Sequence, residues 1–121
     1  MNINQIIDTI ETVKPNSFSS DFIRKLVEEC DKKIYFEFLS EHLTDEEKQP
    51  KRYPLGDDAE LLLPEYYEIV YTSYVMAQLD YYNGEYERYN NEMTMYNTKL
   101  IEFITWFTRN HSAENITIDV E

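Results

Sequence analysis

The sequence predicts an all-α fold: a compact bundle of about four helices with a long C-terminal helical hairpin, one long loop and a short extended C-terminal tail. Apolar residues recur with a helical period over most of the chain, which is the main sign of amphipathic helices. Only two glycines and four prolines are present, so few residues interrupt these periods. The 121-residue length fits a single domain, residues 1–121, that buries about two-thirds of its unfolded surface.

The hairpin is predicted between Pro64 and His111, with its turn at Asn83-Gly84. Glycine has no side chain to oppose a left-handed backbone, so this pair can end one helix and lead into the next. We expect part of the second arm to be buried against the first arm and the second helix, namely Tyr89, Met93, Leu100 and Phe103. They belong to a seam at alternating spacings of three and four: Tyr86, Tyr89, Met93, Tyr96, Leu100, Phe103 and Phe107.

The first helix is predicted from its start signal and from a proline after it. Asn2 followed by Gln5 is typical of a capping box, in which two side chains satisfy free amides at the helix start. Apolar residues at helical spacing continue to Val13, and Pro15 then ends the helix.

A second helix is predicted from about Ser20 to Leu43, capped by Ser19 or Ser20. Glu28-Glu29, like Asp57-Asp58, is interpreted as solvated surface, because adjacent carboxylates point in different directions. The inner stripe of this helix comprises Phe22 or Ile23, Leu26, Val27, Cys30, Ile34, Phe38 and, at its end, His42.

Residues 44–63 lack clear periodicity and contain two prolines and a glycine, which predicts a long loop. Leu61, Leu62 and Leu63 at its end are expected to pack back onto the helices. Residues 112–121 are expected to form a flexible tail. In that tail, Ile116, Ile118 and Val120 alternate with polar residues, as in a short strand.

The first arm of the hairpin is apolar almost all round, so one hairpin partner cannot cover both of its faces. One side carries Tyr67, Val70, Tyr71, Tyr74 and Tyr81, and another carries Ile69, Met76 and Leu79. Spare apolar area of this kind predicts contact with another chain. The candidate oligomer or partner interface comprises Tyr66, Ile69, Met76, Leu79, Ile116, Ile118 and Val120.

Composition argues against several function classes. The formal net charge of −13 disfavours phosphate binding, so we expect no sequence-specific recognition of nucleic acid. No apolar run approaches membrane-spanning length, and no leader precedes the first helix, which predicts a soluble cytoplasmic protein without a membrane partner. Neither His42 nor His111 has a glutamate three residues earlier, and Cys30 lies on an apolar stripe. We therefore expect no catalytic residue, no metal, no cofactor and no enzyme activity.

Two stretches of the hairpin carry a family resemblance: LLPEYYEIVY from Leu62 to Tyr71, and DYYNGEYERYNN from Asp80 to Asn91. The loop VKPN at residues 13–16 matches the loop after the first helix of the same family. In these stretches the chain resembles the small head-tail connector (adaptor, or head completion) proteins of tailed phages and prophages of Gram-positive bacteria. The resemblance covers most of the chain, and the long loop and last ten residues are the least alike.

The resemblance implies a structural virion subunit that assembles as a ring below the portal, twelvefold in the virion, extends the DNA channel and joins head to tail. Its implied partners are copies of itself, the portal protein and a tail or stopper protein. Its implied place is the host cytoplasm during assembly and then the head-tail junction. The family supplies no catalytic or cofactor-binding residue.

Two alternatives stay open at the level of sequence. A small acidic phage protein could act as a DNA mimic or protein-binding inhibitor, although mimicry needs paired rows of carboxylates, and here they are scattered through the second helix and the loop. An oligomeric helical scaffold of bacterial origin would have the same sequence features.

Overall fold

The computed structural model describes residues 1–43, 54–56 and 59–114, without the side chains of 111–114. Its four main helices are α1 (Ile3–Val13), α2 (Ser20–Ile34), α3 (Glu68–Tyr82) and α4 (Tyr86–Glu114). A 3₁₀ turn, Glu65–Tyr67, leads into α3. About 79% of the structure is helical, and the described ranges contain no strand, which confirms the predicted all-α fold.

The predicted start signals of α1 and α2 are confirmed. The amide of Gln5 donates to Asn2 Oδ1 over 3.0 Å, and the amide of Asn2 donates to Gln5 Oε1 over 2.7 Å, which completes the capping box. Ser19 Oγ accepts from the amide of Phe22 over 3.1 Å and so caps α2. α1 ends at Val13, two residues before Pro15.

The end of α2 departs from a regular α-helix. A π-helical segment, Tyr35–Leu39, and one further turn, Ser40–His42, continue the helix almost to the predicted boundary. The wider turn shifts the inward side, so Leu39, which was not predicted as part of the stripe, is fully buried. His42 is exposed, and its prediction as part of the inner stripe was wrong.

The hairpin turn has the predicted geometry, because Gly84 has a φ of 75°. α3 is the central helix and packs against α1, α2 and α4. Its second apolar face is covered only in part within the chain, because Leu79 is fully buried whereas Ile69 and Met76 are half-buried. The spare apolar area expected on α3 is therefore smaller than predicted.

The seam of α4 is less enclosed than predicted. Tyr96, Phe103 and Phe107 are buried, whereas Tyr89, Met93 and Leu100 are only half-buried and Tyr86 is exposed. The reason is that α4 packs along α3 and the turn before it, but not along α1 or the regular part of α2. The π-helical segment reaches α4 through Phe38, whose ring lies 6.2 Å from that of Phe103 and 5.6 Å from that of Phe107. Residues at the edge of the stripe therefore keep contact with solvent.

A buried carboxylate fixes the leucine segment before α3. Asp31 is fully buried in α2, and its Oδ1 accepts from the amide of Leu62 over 3.0 Å and from the hydroxyl of Tyr71 over 2.7 Å. The hydroxyl of Tyr71 in turn accepts from the amide of Leu63 over 3.1 Å. These bonds satisfy two amides outside any helix and hold the segment against the core. The packing predicted for Leu61, Leu62 and Leu63 is confirmed, since all three are buried.

The C-terminal boundary is also corrected, because α4 continues to Glu114, three residues into the predicted tail 112–121. The predicted strand-like residues Ile116, Ile118 and Val120 lie outside the described residues.

The predicted loop 44–63 is described at residues 54–56 and 59–63. Among these, Glu60 forms an isolated β-bridge with Asn2. The pair Asp57-Asp58 lies outside the described part.

The packing of α4 predicts that alanine substitutions at two positions only two residues apart lower the free energy of unfolding by very different amounts. Phe103 is fully buried, whereas Ile101 is 62% exposed on the opposite side of the helix. Phe103→Ala should lower the free energy of unfolding by about 3–5 kcal/mol, because it leaves a cavity beside the rings of Tyr67 and Phe38. Ile101→Ala, the matched control, should change it by about 0.5 kcal/mol or less. Urea denaturation measures both values, and similar losses for the two variants would contradict this packing.

Candidate interaction surface

Six aromatic rings form a continuous surface where the α3–α4 hairpin turns, and we call it the hairpin-end surface. Tyr82 packs on Phe22 with the ring centroids 5.5 Å apart, and Tyr81 packs on Tyr86 at 5.6 Å. Tyr81, Tyr82 and Tyr86 are 52%, 62% and 59% exposed. The surface comprises Phe18, Phe22, Tyr81, Tyr82, Tyr86 and Tyr89.

A second aromatic patch, formed by Tyr66, Tyr67 and Trp106, lies at the other end of α3. We call it the Tyr66 patch. Tyr66 is 82% exposed and contacts the ring of Tyr67 edge-on, with the centroids 5.0 Å apart. Tyr67 is buried against Phe103 at 5.3 Å and Trp106 at 6.0 Å. Because α3 has 15 residues at 1.5 Å each, about 22 Å of helix separates the patches.

The structure divides the predicted interface residues. Tyr66 is exposed, and Ile69 and Met76 are half-buried, so these three can still contact another chain. Leu79 is fully buried in the core and cannot contact another chain in this fold. Tyr82 and Tyr86 were not among the interface residues predicted from the sequence. Their positions on either side of the Asn83-Gly84 turn were nevertheless a signal, because residues beside a turn have few neighbours to cover them.

An open cleft of about 490 Å³ lies beside the hairpin-end surface. It is formed where the loop after α1 meets the hairpin turn, and charged groups of both signs line it. Lys14 Nζ forms an ion pair with Asp80 Oδ1 over 2.8 Å, and the side chain of Asp80 is only 2% exposed. The lining residues are Val13, Lys14, Pro15, Asn16, Ser17, Asp80, Asn83, Glu85 and Arg88.

Of the two adjacent acidic residues in α2, Glu28 differs from the prediction of solvated surface, whereas Glu29 is exposed as predicted. Glu28 is 7% exposed, and its Oε2 accepts from the amide of Leu55 over 2.5 Å. Glu29 Oε1 accepts a hydrogen bond from the hydroxyl of Tyr74. The pair of acids therefore anchors parts of the structure distant in sequence, and neither contact follows a pattern that sequence reading could detect.

The inner tyrosines and the cysteine are kept protonated by burial. Burial raises the pKa of Tyr71, Tyr74 and Tyr96, and a hydrogen bond to Glu29 raises that of Tyr74 further. Burial, followed by the charges of Asp31 and Glu29, raises the pKa of the Cys30 thiol well above its usual value. Cys30 is fully buried, and a neutral buried thiol is a poor nucleophile.

No group of three or more metal-ligating side chains is present within residues 1–43, 54–56 and 59–114. Over the same described ranges, no helix combines the length and apolar character needed to cross a membrane. Comparison with known proteins gives no family: no family model matches the chain, and neither a curated protein nor a solved structure does.

The two aromatic patches predict an order of chemical modification. In the native protein, nitration should reach Tyr66, Tyr82 and Tyr86 first, because their rings are accessible. Tyr71 and Tyr96 should react much more slowly, since their rings are buried and burial raises the pKa of their hydroxyls. Peptide mapping by mass spectrometry measures each rate, and the urea-unfolded chain, in which all tyrosines react, is the control. Equal rates for Tyr82 and Tyr96 in the native protein would contradict the surface described here.

Proposed function

We propose that this chain is a head-tail connector subunit of a tailed phage or prophage, which forms a ring with copies of itself below the portal protein. In this role it has no catalytic activity. It works through protein contacts with neighbouring copies, with the portal and with a tail or stopper protein. It acts first in the host cytoplasm during assembly and then at the head-tail junction of the virion.

The observation that carries this proposal is the exposure of the sequence string that resembles the family. Asn83 to Asn91 spans the hairpin turn and the first turns of α4, and every residue in it is exposed except Tyr89, which is half-buried. The hydrophobic core does not require two tyrosines at such a site. Tyrosine is, however, enriched in protein interfaces, because its ring buries apolar area while its hydroxyl stays hydrogen-bonded.

The positions of the two aromatic patches suit ring formation. A closed ring arises when one patch of each subunit contacts a different patch of the next subunit, with a rotation that completes the circle. The hairpin-end surface and the Tyr66 patch are two such separate patches, at opposite ends of α3. A subunit of this kind has one contact to offer to each neighbour.

The acidic charge suits the proposed place in the virion. With 24 acidic and 11 basic residues, the chain has a formal net charge of −13. A ring of such subunits repels DNA phosphates, so DNA can pass through it without adhering to the wall.

Joining of purified chain to portal-bearing heads that lack this protein tests the proposal. Wild-type chain should attach as a ring visible by electron microscopy. Tyr82→Ser with Tyr86→Ser should lower attachment at least about tenfold, since losing about 1.4 kcal/mol of contact energy has that effect. Tyr66→Ser should do the same at the other patch.

Two further samples serve as controls in the attachment experiment. Ile101→Ser removes an exposed apolar side chain outside both patches and should leave attachment unchanged. A mixture of the two patch variants should form pairs but no closed rings, because each variant keeps only one half of the contact. Failure of wild-type chain to attach to heads, or normal attachment of both patch variants, would contradict the proposed function.

A further inference from the structure

A buried carboxyl group, that of Asp80, and a half-buried one, that of Glu92, meet between α3 and α4 near the hairpin turn. Asp80 lies in the last turn of α3, and Glu92 lies in the second turn of α4, within hydrogen-bonding reach of Asp80. Asp80 is 1% exposed, and the side-chain oxygens Asp80 Oδ2 and Glu92 Oε2 are both buried. Neither oxygen has a hydrogen-bond donor among the residues that the structure describes.

This arrangement is unfavourable if both groups are ionised. Two carboxylates have only acceptor oxygens, and like charges at this range repel one another. Asp80 is also near the C-terminal end of α3, where the helix dipole disfavours negative charge. A single proton between the two groups gives each buried oxygen a hydrogen bond and removes one of the two charges.

The remaining charge of the pair has a partner. Lys14 Nζ lies 2.8 Å from Asp80 Oδ1, and the Lys14 side chain is 19% exposed at the cleft. Lys14 directly follows α1, and its amide donates to the carbonyl of Ile10 over 2.8 Å. One ammonium and two carboxyl groups thus connect the end of α1, the end of α3 and the start of α4.

We propose that Asp80 and Glu92 share one proton and form, with Lys14, a proton-dependent clamp that fixes the base of the hairpin and loosens when the proton is lost. The clamp lies directly before Tyr81 and Tyr82 in the chain, so it also holds the hairpin-end surface in place. The proposal follows from the buried carboxylates alone and does not depend on the proposed function.

The charged groups around Glu92 are consistent with this view. Burial, then the charge of Asp80 and the hydrogen bond to it, raises the pKa of Glu92 to about 7. Lys14, after α1, and Arg88, one turn earlier on α4, act in the opposite direction and lower it. The Glu92 carboxyl therefore titrates close to neutral pH.

The direction of the pH effect on stability follows from this shift. The native state holds the Glu92 proton up to about pH 7, whereas the unfolded chain loses it near its ordinary value of 4.5. Stability from the shared proton is therefore complete below pH 4.5 and is lost as the pH rises through 7. Glu92→Gln keeps a neutral side chain with a donor for Asp80 at every pH. Its stability relative to the wild type should therefore increase as the pH rises from 4.5 to 7.

The direct test is the titration of the Glu92 side-chain carboxyl by carbon-detected NMR in the wild-type protein. A midpoint near 7 is expected, and a midpoint near 4.5 would overturn the proposal. In parallel, the folding equilibrium constant of Glu92→Gln relative to wild type should rise roughly 50-fold between pH 5 and pH 8. A ratio that stays constant would also overturn it.

Glu87→Gln is the matched control, because it removes the same charge from an exposed position on α4. Its stability relative to wild type should change less than about twofold over the same interval, since exposed charges interact weakly. Lys14→Met should move the Glu92 midpoint upward, because it removes the cation that favours ionisation. An unchanged midpoint in that variant would exclude Lys14 from the clamp.

Discussion

Asp31 is the residue on which the arrangement of the other elements depends most. Burying a carboxylate is costly, and the cost is offset only where hydrogen bonds replace water. Asp31 Oδ1 receives one such bond from the amide of Leu62 and one from the hydroxyl of Tyr71, both within 3.0 Å. A single buried oxygen thus joins α2, α3 and the segment between them, and removing any partner leaves a buried polar group unsatisfied.

The position of α3 follows from this network, and the two exposed aromatic patches follow from the position of α3. The leucine segment is fixed against α2, so the 3₁₀ turn and α3 begin directly after it. Tyr66 stays outside the core at that end, while Tyr67 turns inward. At the other end Lys14 holds Asp80, which directly precedes Tyr81 and Tyr82. α3 therefore separates the two patches along one helix, as the closed ring that we propose would require.

The sequence predicts the features of this fold that depend on neighbouring residues. The Asn2 capping box, the Ser19 cap and the turn at Gly84 were predicted correctly, because each depends on interactions within three or four residues.

The sequence did not predict the buried acids. Asp31 binds partners that lie 31 and 40 residues away along the chain, and Asp80 pairs with Lys14, 66 residues before it. In a helix these residues look like ordinary surface charges, so only the tertiary structure distinguishes them. For the same reason the sequence predicted Leu79 as an interface residue, whereas it is buried within a fold in which α1 and α2 pack on α3.

Native-state hydrogen exchange at Leu62 and Leu63 is the most direct test of the central claim, that the Asp31 network fixes the segment before α3. Both amides lie outside any helix, so slow exchange there must come from their bonds to Asp31 and Tyr71. The structure predicts that both exchange about as slowly as the amide of Tyr74 in the middle of α3. Exchange at the rate of an unstructured peptide, with Tyr74 still protected, would contradict it.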